Sequence, residues 1–255
     1  MSPSHHIPEE CEAPSDSPTS MALSENAFGG EFMSSDIGYV GITGSSFYTP
    51  RSWVVVGSGS NIWAEVDGFH YLYLPTQGDV RVTTLINSFQ ATNVQASGGI
   101  MFRDSLAANS PHYSMLITGS EGLSTTYREC YGCSSMNDQS GAAAQVGEDN
   151  IWLRVTKEGT SHNTHYKHVG ATDWTLLGST KNITYTSDTF YIGFAASASD
   201  NAKAELLCGT NFELNRHCPG SNGKDSCATV SSCMIVNVIV TLIFNNFYLI
   251  NSSVT

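Results

Sequence analysis

Positive charge is what this 255-residue chain has least of: 11 lysines and arginines stand against 23 aspartates and glutamates, a formal net charge of -12. A duplex binder needs cations to displace phosphate counterions, so the balance argues against nucleic acid as a partner and disfavours an acidic sugar polymer on the same ground. Charged residues of both signs make up only 13% of the chain, against roughly 25% in an average globular protein. Surface polarity must come from Ser, Thr, Asn and Gly, a balance common in secreted β-proteins. Helical periodicity is nearly absent. Met1 to Gly30 lacks the apolar run that opens a secretory signal. There is no second Cys-x-x-Cys beside Cys130-Tyr131-Gly132-Cys133 to complete a zinc ribbon, and no βαβ pattern around it to suggest a redox site.

What is present divides the chain. Residues 1–35 carry Glu9, Glu10, Glu12, Asp16, Glu25 and Glu31, no Lys or Arg, and no apolar period. Such a segment buries too little surface to offset its ordering entropy and is expected to be disordered. Residues 36–214 are a succession of short β-patterned runs, residues 215–233 a Cys-rich polar spacer, and residues 234–250 a hydrophobic segment. The runs are rich in β-branched and aromatic residues and punctuated by Gly, Asn, Asp or Ser, the pattern of antiparallel strands. They cover 53–56, 69–74, 79–86, 99–103, 113–118, 151–156, 163–168, 174–178, 190–195 and 204–207. Val80, Val82, Thr84 and Ile86 alternate with Arg81, Thr83 and Leu85; Phe190, Ile192 and Phe194 alternate with Tyr191, Gly193 and Ala195. One buried face per strand means two sheets packed together. About ten such runs fit a single all-β antiparallel sandwich better than a closed barrel, which would have little use for the polar insertion between Tyr127 and Gly147.

The motifs fall in a distinctive order: Asp36-Ile37-Gly38, Gly57 to Trp63, Phe69-His70, Gly78-Asp79, Gly98-Gly99-Ile100-Met101-Phe102-Arg103, Trp152-Leu153-Arg154, and Asp173-Trp174-Thr175 with Gly178. In that order they resemble the DUF1349-type concanavalin A-like jelly-roll domain. The resemblance implies a lectin- or glucanase-like two-sheet sandwich, often attached to extracellular carbohydrate-active or cell-surface proteins, with no established catalytic set. The family usually has a tryptophan shortly before the Gly-Ile-Met-Phe-Arg strand, where this chain has Val94. If that ring is a binding platform in relatives, it is missing here.

Glu65-Val66-Asp67 invites comparison with laminarinase-type glycosidases of this architecture, which carry Glu-x-Asp-x-Glu on one strand. Retaining hydrolysis needs two carboxyls about 5–5.5 Å apart. The fifth position here is Phe69, so Glu65 and Asp67 are expected to hold a turn or a cation. Arg103 and Arg154 sit among apolar residues, where a buried guanidinium needs a carboxylate partner. An inter-strand pair with Asp36, Asp67 or Asp79 is the first reading, and a grip on a sugar the second. Asp36, Asp67 and Asp79 lie near glycines in turn-like contexts and are candidate ligands of a structural Ca2+, the sole cofactor the sequence suggests.

Trp63, Trp152 and Trp174, with Tyr71, Tyr73, Tyr166 and Tyr191, are candidates for stacking on a sugar, though a sandwich core also needs large rings. Trp174, in the loop Gly170-Ala171-Thr172-Asp173-Trp174, is the ring most readily exposed. His162, His165 and His168 cannot form a three-ligand zinc site on a regular strand, because His165 faces away from the other two; they read as surface histidines. Seven cysteines, all but Cys11 clustered in the insertion and after the last run, fit disulfides with one thiol over. Small residues Ser221-Asn222-Gly223, a polar spacer and the run 234–250 have the layout of a GPI-attachment signal or other membrane attachment. Asn182-Ile183-Thr184 is a glycosylation sequon. The expectation is an extracellular or cell-surface module that binds a glycan or cell-surface ligand without catalysis; a structural or adhesive domain for protein partners comes second and a glycoside hydrolase third.

Overall fold

A computed structural model describes residues 32–140 and 150–217. Among them run fourteen strands and no helix, numbered here in chain order. One sheet holds β1 (Met33–Ile37), β4 (Phe69–Gln77), β13 (Thr189–Ser197), β6 (Ser97–Arg103), β7 (His112–Thr118), β8 (Gly122–Arg128) and β9 (Met136–Ser140), side by side in that order. The other holds β12 (Thr175–Asn182), β11 (Ser161–His168), β10 (Ile151–Glu158), β5 (Asp79–Gln90), β14 (Asp200–His217), β3 (Ser52–Gly59) and β2 (Ser45–Tyr48). Every pairing is antiparallel. The expected two-sheet jelly-roll sandwich is the observed one.

The alternation read in the sequence is the alternation that packs. Val80, Val82 and Ile86 of β5 and Phe190, Ile192 and Phe194 of β13 point into one core between the sheets. The Trp53 and Phe194 rings stack there with centroids 3.6 Å apart, joining β3 to β13. Trp53 keeps its indole N–H satisfied by donating to Thr84 Oγ1 at 3.0 Å. The first sheet also buries part of its outer face: Phe69, Tyr71, Tyr73, Met101 and Leu116 form a second cluster with Ile37 and Ile62. The loops that cover this cluster build the site described below.

Several expectations are corrected. The segment through residue 35 is not all outside the fold, because Met33, Ser34 and Ser35 pair with Tyr73, Leu72 and Tyr71. Residues 215–217, assigned to the polar spacer, continue β14 against Arg81, Val80 and Asp79. The insertion after Tyr127 contains β9, paired with β8. The run 234–250, the attachment layout and most of the acidic N-terminal segment lie outside the described residues. Within those residues no helix is long and apolar enough to cross a membrane. His162 is not a surface residue: it is fully buried between Tyr113 and Tyr185, because it shares the inward face of β11 with Thr164.

One edge of the sandwich is fastened. Asp138 of β9 accepts hydrogen bonds from the Ser179 amide and from Ser179 Oγ (3.0 Å), and pairs with Lys181 Nζ at 3.0 Å. It thereby links the last strand of one sheet to the last strand, β12, of the other. Gly178, at φ +70°, sits where a Cβ would run into the Asp138 carboxylate.

Candidate functional site

The loop from Ser60 to Gly68 folds back over the outer face of the first sheet. Gly59, at φ +121°, makes the turn, and a Cβ there would overlap the Gly68 carbonyl. Gly68 then donates its amide to Asn61 O at 2.8 Å, closing the loop. Three covalently distant arms meet beneath it. Asp67, Arg103 and Arg128 are all fully closed from solvent. Arg128 grips Asp67 at two points, 2.6 and 2.9 Å, and Arg103 adds a third contact at 2.7 Å.

Other guanidinium hydrogens tie down the neighbouring loops, while Arg103 Nε is buried without a hydrogen-bond partner. Arg128 donates to the carbonyls of Ala64 (2.9 Å), Ser110 (3.1 Å) and Cys133 (2.9 Å), and Arg103 to that of Ala107. Ala64 takes a left-handed φ of 54° to aim its carbonyl, which also accepts the Ser135 amide at 2.8 Å. Burial alone would raise the Asp67 carboxyl; the charges around it, His112 and then the two arginines, prevail and hold it below its ordinary range. His112 lies in the same row of the sheet, opposite Arg103 and Arg128. Burial pushes its imidazole down to about 3, so at neutral pH the arginines are what keep Asp67 ionised. The Ser114 and Ser135 hydroxyls, at 3.0 and 3.2 Å, satisfy its two ring nitrogens whichever tautomer it takes. This knot is architecture: it sets the height and angle of the loop that carries Trp63.

Above it lies a groove of about 360 Å3. The register supplies its floor. Ser97 lies opposite Thr118, Leu116 opposite Ser124, and Thr126 opposite Asn137, all on the outer face of β6, β7, β8 and β9. The walls are Asn61, Ile62 and Trp63 from one loop, Val94 and Gln95 from a second, and Ser120 and Glu121 from the β7–β8 turn. Trp63 is 44% exposed, the most accessible tryptophan, and Val94 is 66% exposed. Ser124 donates to Asn137 Oδ1, whereas the Ser97 hydroxyl is buried without a hydrogen-bond partner. Among the described residues Glu121 is the one carboxylate of the lining, and they bring no acid/base pair of the glycosidase type to the groove.

The sequence-predicted residues scatter over several places. Trp63 is in the groove. Arg103 is in the knot with Asp67, one of the inter-strand pairs expected for it, and its side chain is closed from solvent there. Trp152, Arg154 and Trp174 are on the outer face of the other sheet, where Arg154 lies under the Trp174 ring at 3.7 Å and Lys167 sits 5.7 and 5.1 Å from the two indoles. Trp174 is therefore half-buried on a cation rather than projecting freely. The three aspartates do not converge: Asp36 pairs with His70 (2.7 Å), Asp67 with the arginines, and Asp79 accepts the Gly159 amide (2.7 Å). No cluster of three potential metal ligands exists among the described residues. Glu65 accepts from Ser134 Oγ at 2.8 Å, which lowers its carboxyl. Cys130 and Cys133 form a disulfide in the loop that Arg128 holds.

Sequence reasoning missed Arg128, Gln95, Glu121, Ser124, Thr126 and Asn137. The available signal was the alternation of Leu123, Thr125 and Tyr127 with Ser124, Thr126 and Arg128, which is too polar to stand out. A larger cavity, about 490 Å3, lies at one end of the sandwich around Gly78, Lys157, Thr160 and Asp188. It has no tryptophan, and its Lys157 ammonium is engaged by the Gly78 carbonyl (3.3 Å) and the Phe190 face (4.9 Å).

No family model matches the chain, and no curated relative does. The fold is similar to that of a functionally unknown protein from Saccharomyces cerevisiae, with 16% identity and a TM-score of 0.55, covering 74% of this chain and 97% of that one. Slighter likenesses are to a xylan β-1,4-xylosidase from Bacillus halodurans (TM-score 0.48, 15% identity, 64% of this chain and 32% of that one) and to a family 7 alginate lyase (0.43, 9%, 64% and 77%). The chain spans about a third of the xylosidase. Identities this low speak to architecture alone. The class defined is an antiparallel jelly-roll β-sandwich with an open polar groove on one sheet.

Proposed function

We propose that the chain is a non-catalytic carbohydrate-binding module whose site is the groove beside Trp63. The observation that carries this reading is the pairing of an exposed indole with a floor of neutral hydroxyls and amides, one of which, Ser97 Oγ, has no partner within the protein. A flat ring stacks on the C–H face of a sugar while short polar groups take its hydroxyls. That the described lining holds one carboxylate favours binding over cleavage. The resemblance to the DUF1349 type agrees with such a role, with Trp63 taking over where Val94 replaces the family's usual ring.

The same proposal places the protein outside the cell or on its surface. The Cys130–Cys133 disulfide supports an oxidising compartment, and Asn182, exposed at the end of β12, is accessible for glycosylation. Glycan on Asn182 in native material checks the route. A glycan array probed with the full chain tests the function: binding is expected, lost on Trp63→Ala and retained on Trp174→Ala. Binding lost on Trp174→Ala and retained on Trp63→Ala would move the site to the other sheet. No binding to any glycan would favour the adhesive alternative.

A further inference from the structure

The outer face of the second sheet concentrates the cations that the chain otherwise lacks. Arg154 of β10 lies opposite Thr83 of β5 on one side and His165 of β11 on the other, while Arg81 lies opposite Thr156 and Lys167 opposite Trp152. Arg81, Arg154 and Lys167 are thus successive diagonal neighbours across three strands, a step of about 7–8 Å. Three of the chain's 11 Lys and Arg residues form this line. The face's carboxylates are Glu213, opposite Thr83, and Asp79 and Glu158 at its Arg81 end, and none of the three cations makes an ion pair among the described residues.

The cations of the line act on one another. Burial and then the charge of Arg81 lower the Arg154 guanidinium, with Glu213 opposing. Burial, Arg154 and Arg81 likewise push His165 down. Like charges held in a row repel until an anion joins them. The indoles of Trp152 and Trp174 are engaged by Lys167 and Arg154, so this face offers charge rather than a bare ring for a sugar. Leu176, opposite His165 and 48% exposed, gives it an apolar margin.

We propose that this face docks an extended acidic peptide segment with carboxylates at alternate positions. An extended chain advances about 3.3–3.4 Å per residue, so every second side chain recurs at about 7 Å on one side, the step of the Arg81–Arg154–Lys167 diagonal. The site is independent of the groove, which lies on the other sheet.

The test titrates the full chain into a labelled peptide of alternating glutamate and serine, read by fluorescence anisotropy. Saturable binding is expected, weakened about three- to tenfold by Arg154→Gln and by Lys167→Gln, abolished by high salt, and unchanged by Trp63→Ala. Arg81→Gln, at an exposed position, supplies the same reading if either other variant folds poorly. Three results would overturn the proposal. One is equal binding of a peptide with the same glutamates in a single block. Another is tighter binding of polygalacturonate at matched carboxylate concentration. The last is wild-type affinity in all three variants.

Discussion

Asp67 and Arg128, sixty-one residues apart in sequence, meet as a two-point pair at 2.6 and 2.9 Å with both side chains closed from solvent. With Arg103 also on Asp67, one carboxylate compensates two guanidinium groups. Removing it strands both. Asp67→Asn is expected to cost about 3–5 kcal/mol, read as a lowered urea midpoint at constant slope. A loss below about 1 kcal/mol would mean that the loop carbonyls alone support the two arginines.

Ala64 pays a local cost to that knot, since its φ of 54° is a conformation L-residues avoid. The strain is worth about 1–2 kcal/mol, and glycine relieves it while giving the unfolded chain more freedom. Ala64→Gly is expected to raise stability by about 0.5–1 kcal/mol, with the carbonyl contacts to Arg128 and Ser135 kept. A drop in melting temperature would count against the left-handed geometry.

Glu205 of β14 is buried opposite Gly57. Burial raises its carboxyl well above the ordinary 4.5, with the Ser197 backbone opposing only in part. The folded chain therefore keeps a proton that the unfolded chain releases. Stability present below pH 4.5 is lost as pH rises above it, by up to about 1.4 kcal/mol per pH unit. Glu205→Gln should match the wild type at pH 4 and exceed it at pH 8 in chemical denaturation. Equal stability at both would show that the carboxylate is accommodated charged.

Two histidines act in the opposite sense. Burial lowers His112 to about 3 and His162 to about 4, from 6.5. The unfolded chain binds the protons these residues refuse, so their contribution is complete above pH 6.5 and is lost as pH falls toward 4 and then 3. Each contributes up to about 1.4 kcal/mol per pH unit within its window. Between pH 4.5 and 6.5 they outweigh Glu205, and the wild type should weaken on acidification through that range. His162→Gln is expected to flatten the acid limb measured by urea midpoints at successive pH values; an unchanged limb would remove His162 from the account.

Legibility followed apolar alternation. Asp79–Gln90 and Thr189–Ser197 announced their faces because Val, Ile and Phe recur at every second position. β1, β2, β8 and β9 are short and carry many Ser, Thr, Asn and Gln, so that their pattern is indistinguishable from loop. The Asp67–Arg103 pair was anticipated as one of three options for the arginine. Arg128 was not, because it ends a strand that looked like the start of a polar insertion. Trp63 stood out by residue type, but Gln95, Ser97 and Asn137 become a groove only when strand register brings them together, and register is a long-range property. Trp174 was expected to be the freest ring; the guanidinium beneath it comes from Arg154, a residue on a different strand.

The Asp138 contacts with Ser179 and Lys181 give the molecule a sealed side. Terminal strands present unpaired amides on which another chain can polymerise. On the β9–β12 side, an incoming strand must first displace a carboxylate already holding an amide and an ammonium, both from β12. Among the described residues, the opposite margin, formed by β1 and β2, is held by the Gly44 amide on Asp36 (3.1 Å) and by the Phe32 ring against Tyr48 (4.3 Å), with no ion pair between its outermost strands. If stressed preparations form fibrils, growth should begin there, and Lys placed along β2 should delay it more than Lys placed along β12.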